Sequence, residues 1–371
     1  MRDVLVVAGE TSGDLHASGV AAELRRRAPD LVLTGIGGAR MEQAGVTLLE
    51  HTDRLAVMGF AEVIRHVPRH YQLLERLRRL LRSGRIGLVM LVDYPGFNMK
   101  VAAAAHAAGV PVLYYVTPQV WAWGRGRLRA LARTVSRAAV ILPFEEDLLR
   151  RHGVDATFVG HPLLDRAFEL LPDRAAARTR LGLAPDATVL ALFPGSRAQE
   201  ISRHLDRFVE TAQELERRIP GLVPIVSVAA GLTLDPARCP YSQVRDASFT
   251  VWRAADAALS KSGTSTLEAA VAGCPLVVAY RTGPISYAIA RRVVTIPRIA
   301  LVNVVADREV APEFLQEAVR PLAMADALEP LLHADSAPRN AMLSGLADVH
   351  RRLGEPGAAA RVAAMALELM Q

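Results

Sequence analysis

Ser262-Gly263-Thr264-Ser265-Thr266-Leu267-Glu268 follows the apolar run Ala257 to Ser260, and Pro194-Gly195-Ser196-Arg197 follows Val189 to Phe193. In both places a strand pattern gives way, over a few small residues, to a helical one. Such a turn presents backbone N–H groups and the positive end of a helix dipole, which together make a phosphate site. Two of them in one half of the chain, with Glu268 a helical turn into the second, suit a nucleoside diphosphate. The phosphates are expected on Gly195, Ser196 and Arg197 and on Ser262, Gly263, Thr264, Ser265 and Thr266. Glu268 is placed to accept from ribose hydroxyls. Arg197 would neutralise a leaving diphosphate, because a guanidinium matches phosphate geometry better than an ammonium does. This half reads as a nucleotide-sugar domain.

Outward from these turns, short apolar runs alternate with helical patterns almost throughout. Strands are expected at 3–9, 31–36, 86–92, 111–116, 138–142, 156–159, 187–193, 223–229, 256–260 and 275–280. Runs of this kind separated by helices read as buried parallel strands with βα crossovers. A break near Leu171-Pro172-Asp173-Arg174 precedes a second α/β set. The expected fold is therefore α/β, with two doubly wound Rossmann-like domains, 1–170 and 171–344, facing each other across a cleft. Ligands are expected at the carboxyl ends of the strands. The tail from about Pro321 is helical and carries a Gly-Glu-Pro-Gly break at Gly354–Gly357. Its last helix, about 345–371, serves either to run back over the first domain or to form a homodimer.

Composition narrows the function. The 371 residues are 51% hydrophobic and 5% aromatic, with a formal net charge of +6. That is a globular chain with an anionic partner. The basic residues do not interleave with exposed aromatics and no zinc spacing appears, which argues against nucleic acid. Cys239 and Cys274 are too few for a disulfide framework and favour the cytosol. The first residues run straight into Asp3-Val4-Leu5-Val6-Val7-Ala8-Gly9, so a signal peptide is not expected. No apolar run approaches the ~20 residues of a spanning helix.

Other stretches carry polar groups at strand ends. Gly9-Glu10-Thr11-Ser12-Gly13-Asp14 follows the first strand, and it reads either as a ligand turn or as a helix cap. Gly35-Ile36-Gly37-Gly38-Ala39-Arg40-Met41 is a weaker, glycine-rich turn of the same type. Asp93-Tyr94-Pro95-Gly96-Phe97-Asn98 ends another strand. Asp93 is either a cap or, partly desolvated, a general base. Lys100, just beyond, is one of only two lysines in the chain. Tyr115 to Trp123 places two tryptophans in a loop, for stacking on sugar, for lining an acyl groove or for packing. Met58 to Ile64 is an apolar entry to a helix rich in arginine from Arg65 to Arg85. It suits an anionic membrane interface, and equally an ordinary solvated face.

Taken as an ordered series, these stretches resemble lipid-A-disaccharide synthase, a bacterial glycosyltransferase of the two-domain GT-B type. The series runs through Gly9–Asp14, Gly35–Met41, Met58–Val63, Asp93–Asn98, Tyr115–Trp123, Phe158–Pro162, Pro194–Arg197, Ser262–Glu268 and Leu301–Gln316. The resemblance implies transfer of 2,3-diacylglucosamine from its UDP derivative to the 6-hydroxyl of 2,3-diacylglucosamine 1-phosphate. The products are the β-1,6 disaccharide 1-phosphate and UDP. It implies Asp93 as the base, with Glu10 and Asp14 as rivals. It places sugar and acceptor contacts at Ser12, Gly13, Asn98, Lys100, Gln119, Trp121, Asn303, Glu313 and Gln316. Acyl or membrane contacts fall at Met58, Phe60, Val63, Arg65 and Arg69. No metal or other cofactor is implied. The expected location is cytoplasmic, on the inner face of the inner membrane beside anionic inner-leaflet lipid. The competing readings are another GT-B enzyme of UDP-GlcNAc, an epimerase or a hexosaminyltransferase, and a non-catalytic nucleotide- or lipid-binding protein.

Overall fold

The structure is a computed structural model that describes residues 3–54, 60–122, 124, 126–283, 287 and 296–371; of 54 and 60–67 only the backbone is described. Two compact units divide it. The first is Met1–Pro162 with Glu355–Gln371, and the second is Leu163–Gly354. The division falls at Pro162/Leu163 and not at 170/171. Helix Leu163–Leu170 buries Leu163, Leu164 and Ala167, and it packs within the second unit.

Among the described residues the first unit holds seven parallel strands: β1 (Asp3–Ala8), β2 (Leu33–Gly37), β3 (Thr47–His51), β4 (Ile86–Val92), β5 (Val112–Tyr115), β6 (Arg137–Val140) and β7 (Ala156–Phe158). They lie in the order β3-β2-β1-β4-β5-β6-β7. Strands covered on both faces need apolar side chains on both, hence the unbroken Val4-Leu5-Val6-Val7 of β1. Leu5 and Val7 face α3 (Phe60–Arg82) and α4 (Pro95–Ala107), in one core with Leu73, Leu77, Phe97 and Val101. Val4, Val6 and Ala8 face the other way, onto α1 (Thr11–Arg27). The last helix of the chain, Ala358–Glu368, completes that second core through Val362, Ala363 and Ala366. Gly354 (φ 85°) and Gly357 (φ 98°) make the left-handed bends that bring the chain back to it.

The second unit holds β8 (Val189–Phe193), β9 (Val223–Val228), β10 (Ser242–Arg245), β11 (Ala257–Lys261), β12 (Leu276–Tyr280) and β13 (Glu313–Leu315). Their order is β10-β9-β8-β11-β12-β13, again all parallel. Both sheets have the doubly wound arrangement. The strand order reverses between β1 and β4 in the first unit and between β8 and β11 in the second. Ligand crevices open at such reversals, outside the carboxyl ends of the strands. The Gly9–Asp14, Asp93–Asn98, Pro194–Arg197 and Ser262–Glu268 turns all leave those four strands. Among the described residues no helix is long and apolar enough to cross a membrane.

Candidate active site

At the first reversal, β4 ends in two successive residues with left-handed backbone, Asp93 (φ 49°) and Tyr94 (φ 51°). Left-handed backbone costs of order 1–3 kcal/mol for most residues, though Asp tolerates it better, and such strain concentrates at functional sites. Here the surroundings hold it in place. Asn98, fully buried on α4, donates its Nδ2 to the carbonyls of Asp93 (2.7 Å), Val92 (3.2 Å) and Val7 (3.3 Å). The Tyr114 hydroxyl donates to the Asp93 carbonyl as well, at 2.9 Å. The Tyr94 hydroxyl lies 2.6 Å from His70 Nε2 of α3. A Cβ on Gly9 would fall 2.1 Å from the Tyr94 ring, so the end of β1 admits only glycine while Tyr94 stays where it is.

The Asp93 carboxyl is pushed up to about 6. Burial is the larger cause and the Glu10 carboxylate the second, while a hydrogen bond from the Tyr94 N–H works against them. A carboxyl poised near neutral pH at a strand end is the profile of a general base.

Asp14 departs from the expectation. It is buried, and its Oδ1 accepts from the N–H groups of Gly38 (2.6 Å) and Met41 (3.1 Å), its Oδ2 from that of Arg40 (3.2 Å). It caps the short helix Ala39–Gln43, so both of its oxygens are engaged by the chain's own backbone. Asn98 likewise spends its amide on the backbone and not on a sugar. Glu10 and Ser12 are exposed and Gly13 is buried beneath them, against Ala8 and Val92. Lys100 and Gln119 are exposed. Trp121 is half-buried, donates its Nε1 to Glu145 Oε1 at 2.9 Å and meets Phe144 edge-on. Glu145 in turn accepts from the N–H groups of Ile141 and Leu142, and burial pushes it up to about 7. Arg69 pairs with Glu50 of β3 at 2.7 Å. Met58 and Trp123 lie outside the described residues, and of Phe60, Val63 and Arg65 only the helical backbone is described.

At the second reversal, Ser260 of β11 lies beside Phe193 of β8, so the two phosphate-type turns are neighbours. Gly195 (φ 136°) and Gly263 (φ 150°) both need the conformational freedom of glycine. Among the described residues the N–H groups of Gly195, Gly263 and Thr264 have no hydrogen-bond partner. The side chains beneath are tied down. Ser262 donates to the Ile299 carbonyl (3.0 Å), Ser265 to the Lys261 carbonyl (3.1 Å) and Thr266 to the Gly263 carbonyl (2.9 Å). Ser196, Arg197 and Thr264 are exposed at the mouth.

Glu268 stands on the helix Ser265–Ala272, accepts from Trp252 Nε1 (3.1 Å) and lies 4.0 Å from Arg166. Burial raises its pKa against the pull of Arg166 and these bonds. Trp252 stacks flat on Phe193, with ring centroids 3.8 Å apart.

Asn303 and Glu313 are not free to hold a sugar. Asn303 is fully buried, accepts from the N–H groups of Val310 and Ala311, and donates to the Ala311 carbonyl and to Glu313. Glu313 accepts from the N–H groups of Ile299 and Ala300. Gln316, left-handed at φ 50°, accepts from the Thr282 N–H, and its buried Nε2 has no partner among the described residues.

A family model described as lipid-A-disaccharide synthetase matches residues 4–355. The chain belongs to the lipid-A-disaccharide synthetase family. A lipid-A-disaccharide synthase of Myxococcus xanthus is 43% identical over 99% of this chain and 97% of its own length. One of Syntrophotalea carbinolica is 40% identical over 99% and 95%. Among solved structures, the glycotransferase of kitacinnamycin superposes with a TM-score of 0.66 at 16% identity, covering 100% of this chain and 99% of that one. A UDP-GlcNAc 2-epimerase of Neisseria meningitidis bound to UDP-GlcNAc gives 0.59 at 11%, covering 99% of each. These two speak for the fold alone, the two-domain GT-B type.

Several residues of this synthetase-family chain that shape the site carry no motif of their own. Tyr114 and His70 support the Asp93 turn from a strand and a helix whose apolar patterns hide them. Lys261 gives a clearer signal. It is one of two lysines in the chain, and it closes the strand that leads into Ser262-Gly263-Thr264.

Proposed function

We propose that this glycosyltransferase of lipid A biosynthesis moves 2,3-diacylglucosamine from its UDP derivative to the 6-hydroxyl of 2,3-diacylglucosamine 1-phosphate. The product is the β-1,6 disaccharide 1-phosphate, with UDP released. Family membership supports the reaction, and the single observation that carries the mechanism is Asp93, a strained, partly buried carboxyl raised toward neutrality. Inversion at the anomeric carbon requires in-line attack. Asp93 takes the proton of the acceptor hydroxyl, and the negative charge of Glu10 raises its affinity for that proton. On the leaving side, the N–H groups of Gly195, Gly263 and Thr264, the two helix dipoles and Arg197 take up charge on the diphosphate. Glu268 is held by Trp252 for the ribose. These groups supply the stabilisation that a divalent ion supplies in other transferases. The arginines of α3 and the apolar entry before it dock on anionic inner-leaflet lipid.

The test mixes purified protein with the two diacylated substrates in detergent micelles containing a chelator. UDP release that depends on acceptor, with a disaccharide of the expected mass, supports the reading. UDP binding without product would leave the nucleotide half standing and remove the acceptor assignment.

A further inference from the structure

Glu200 lies in the first turn of the helix Ala198–Arg218, and its side chain folds back over the Pro194–Arg197 turn. Its Oε2 accepts from the Ser196 N–H at 3.0 Å, and its Oε1 lies 2.8 Å from Lys261 Nζ. The fit is close: a Cβ on Gly195 would stand 2.5 Å from Glu200 Cβ and 2.8 Å from Oε2. Lys261 ends the strand that enters the other turn, and its Nζ stays beside that turn, 3.3 Å from where a Cβ on Gly263 would be. Both partners of the ion pair are mostly buried. A carboxylate therefore sits between a backbone N–H of one phosphate turn and an ammonium beside the other. It makes the contacts that an oxyanion of a diphosphate would make.

We infer that Glu200 is a built-in stand-in for phosphate, and that Lys261 is a diphosphate-binding cation which exchanges Glu200 for the nucleotide. The inference rests on reading this unit as the UDP site. Several observations favour exchange over a fixed brace. Among the described residues the neighbouring N–H groups of Gly195, Gly263 and Thr264 have no acceptor, as an anion pocket would leave them. An arriving diphosphate cannot share the turn with a carboxylate at no cost, because like charges in a partly buried site repel. The lysine stem is flexible and its three donors are not tied to one geometry, so Nζ can follow the incoming anion. His204 keeps the backbone beneath Glu200 in place. Its Nδ1 bonds the Glu200 carbonyl (2.7 Å) and its Nε2 accepts from the Arg281 N–H (2.9 Å), so the side chain can leave without unwinding the helix.

The exchange predicts opposite effects for the two partners. Lys261→Met removes the cation and should weaken UDP binding by about tenfold or more, the usual weight of a charge-assisted bond. Glu200→Gln keeps an acceptor for the Ser196 N–H but removes the competing charge, and should tighten UDP binding several-fold. Lys261→Arg should restore most of the affinity that Lys261→Met loses. Calorimetric titration of UDP into the full-length protein and these variants reads all three, with no need for turnover. A merely structural brace would be loosened by either change, so weaker binding in both variants, or unchanged binding in both, overturns the exchange. Wild-type protein that takes up no UDP would instead overturn the nucleotide reading beneath it.

Discussion

Asn98 donates its side-chain amide to the carbonyl of Asp93 at 2.7 Å, and through the same nitrogen to the ends of β1 and β4. One buried amide thus fixes the peptide that aims the proposed base, together with the two strands between which the sheet reverses. Asn98→Asp replaces the donor with an acceptor facing three carbonyls, and Asn98→Ala leaves those carbonyls unpaired. Each should destabilise the first unit by about 2–4 kcal/mol, the range for breaking a buried polar network. In whatever folds, kcat should fall more than KM rises, because the base is misdirected while the nucleotide turns are intact. Thermal unfolding with steady-state kinetics checks this, and wild-type stability in both variants would refute the clamp.

Asp93→Asn separates function from stability. Asn tolerates left-handed backbone at least as well as Asp, so the turn should persist. Turnover should drop by ~10²–10⁴ with UDP affinity nearly unchanged, as for loss of a general base. Stability should move the other way. The folded pKa is raised from 3.8 to about 6, so the folded state holds the proton more tightly than the unfolded state does. The stability contributed by the protonated form is present below pH 3.8 and is lost as pH rises through 6. At neutral pH the charged Asp93 is therefore a liability, and Asn should gain about 1–3 kcal/mol. Denaturant unfolding at pH 7.5 and at pH 4 should show the gain only at the higher pH.

Glu10→Gln tests the electrostatic half of the same site. With the neighbouring charge gone, Asp93 releases its proton at lower pH, and the acid limb of the kcat/KM profile moves toward acid. The displacement should be the smaller part of the total rise, since burial is the larger cause. An acid limb that stays in place would show that Glu10 does not act on Asp93.

All ten strands expected from apolar runs are present, and among the described residues the three not expected all lie at sheet edges: β3, β10 and β13. Only half of an edge strand is covered, so Ser242-Gln243-Val244-Arg245 need not be apolar and leaves no run to read. The helix Leu163–Leu170, expected in the first domain, lies in the second unit, and the reason its side is not legible is related. An amphipathic stripe shows that a helix packs, and does not show on which core. The turns at Gly195 and Gly263 were legible because a positive φ forces glycine there, and the turn at Gly9 because the Tyr94 ring leaves no room for a Cβ. The roles of Asp14, Asn98, Asn303 and Glu313 were not. A polar residue beside an apolar run looks the same whether it holds a ligand or satisfies its own backbone, and these four turn inward.

The arginine-rich helix gives the last prediction. In α3 the residues Leu73, Leu74, Leu77 and Leu81 are buried in the core of the first unit, so among the described residues the leucine stripe from 73 to 81 is not available to insert in a bilayer. Arg79 and Arg82 remain exposed on its outer side. Any attraction of this stretch to a membrane is therefore electrostatic. It should require anionic lipid and weaken steeply with salt, at about 1 kcal/mol for each arginine near the surface. The double change Arg79→Gln with Arg82→Gln should lower binding to phosphatidylglycerol-containing vesicles by about tenfold or more at low ionic strength. Binding to neutral vesicles, and turnover on micellar substrates, should not change. Vesicle flotation at two salt concentrations reads the effect. Anionic binding that survives both the substitutions and the salt would place the docking surface elsewhere on the chain.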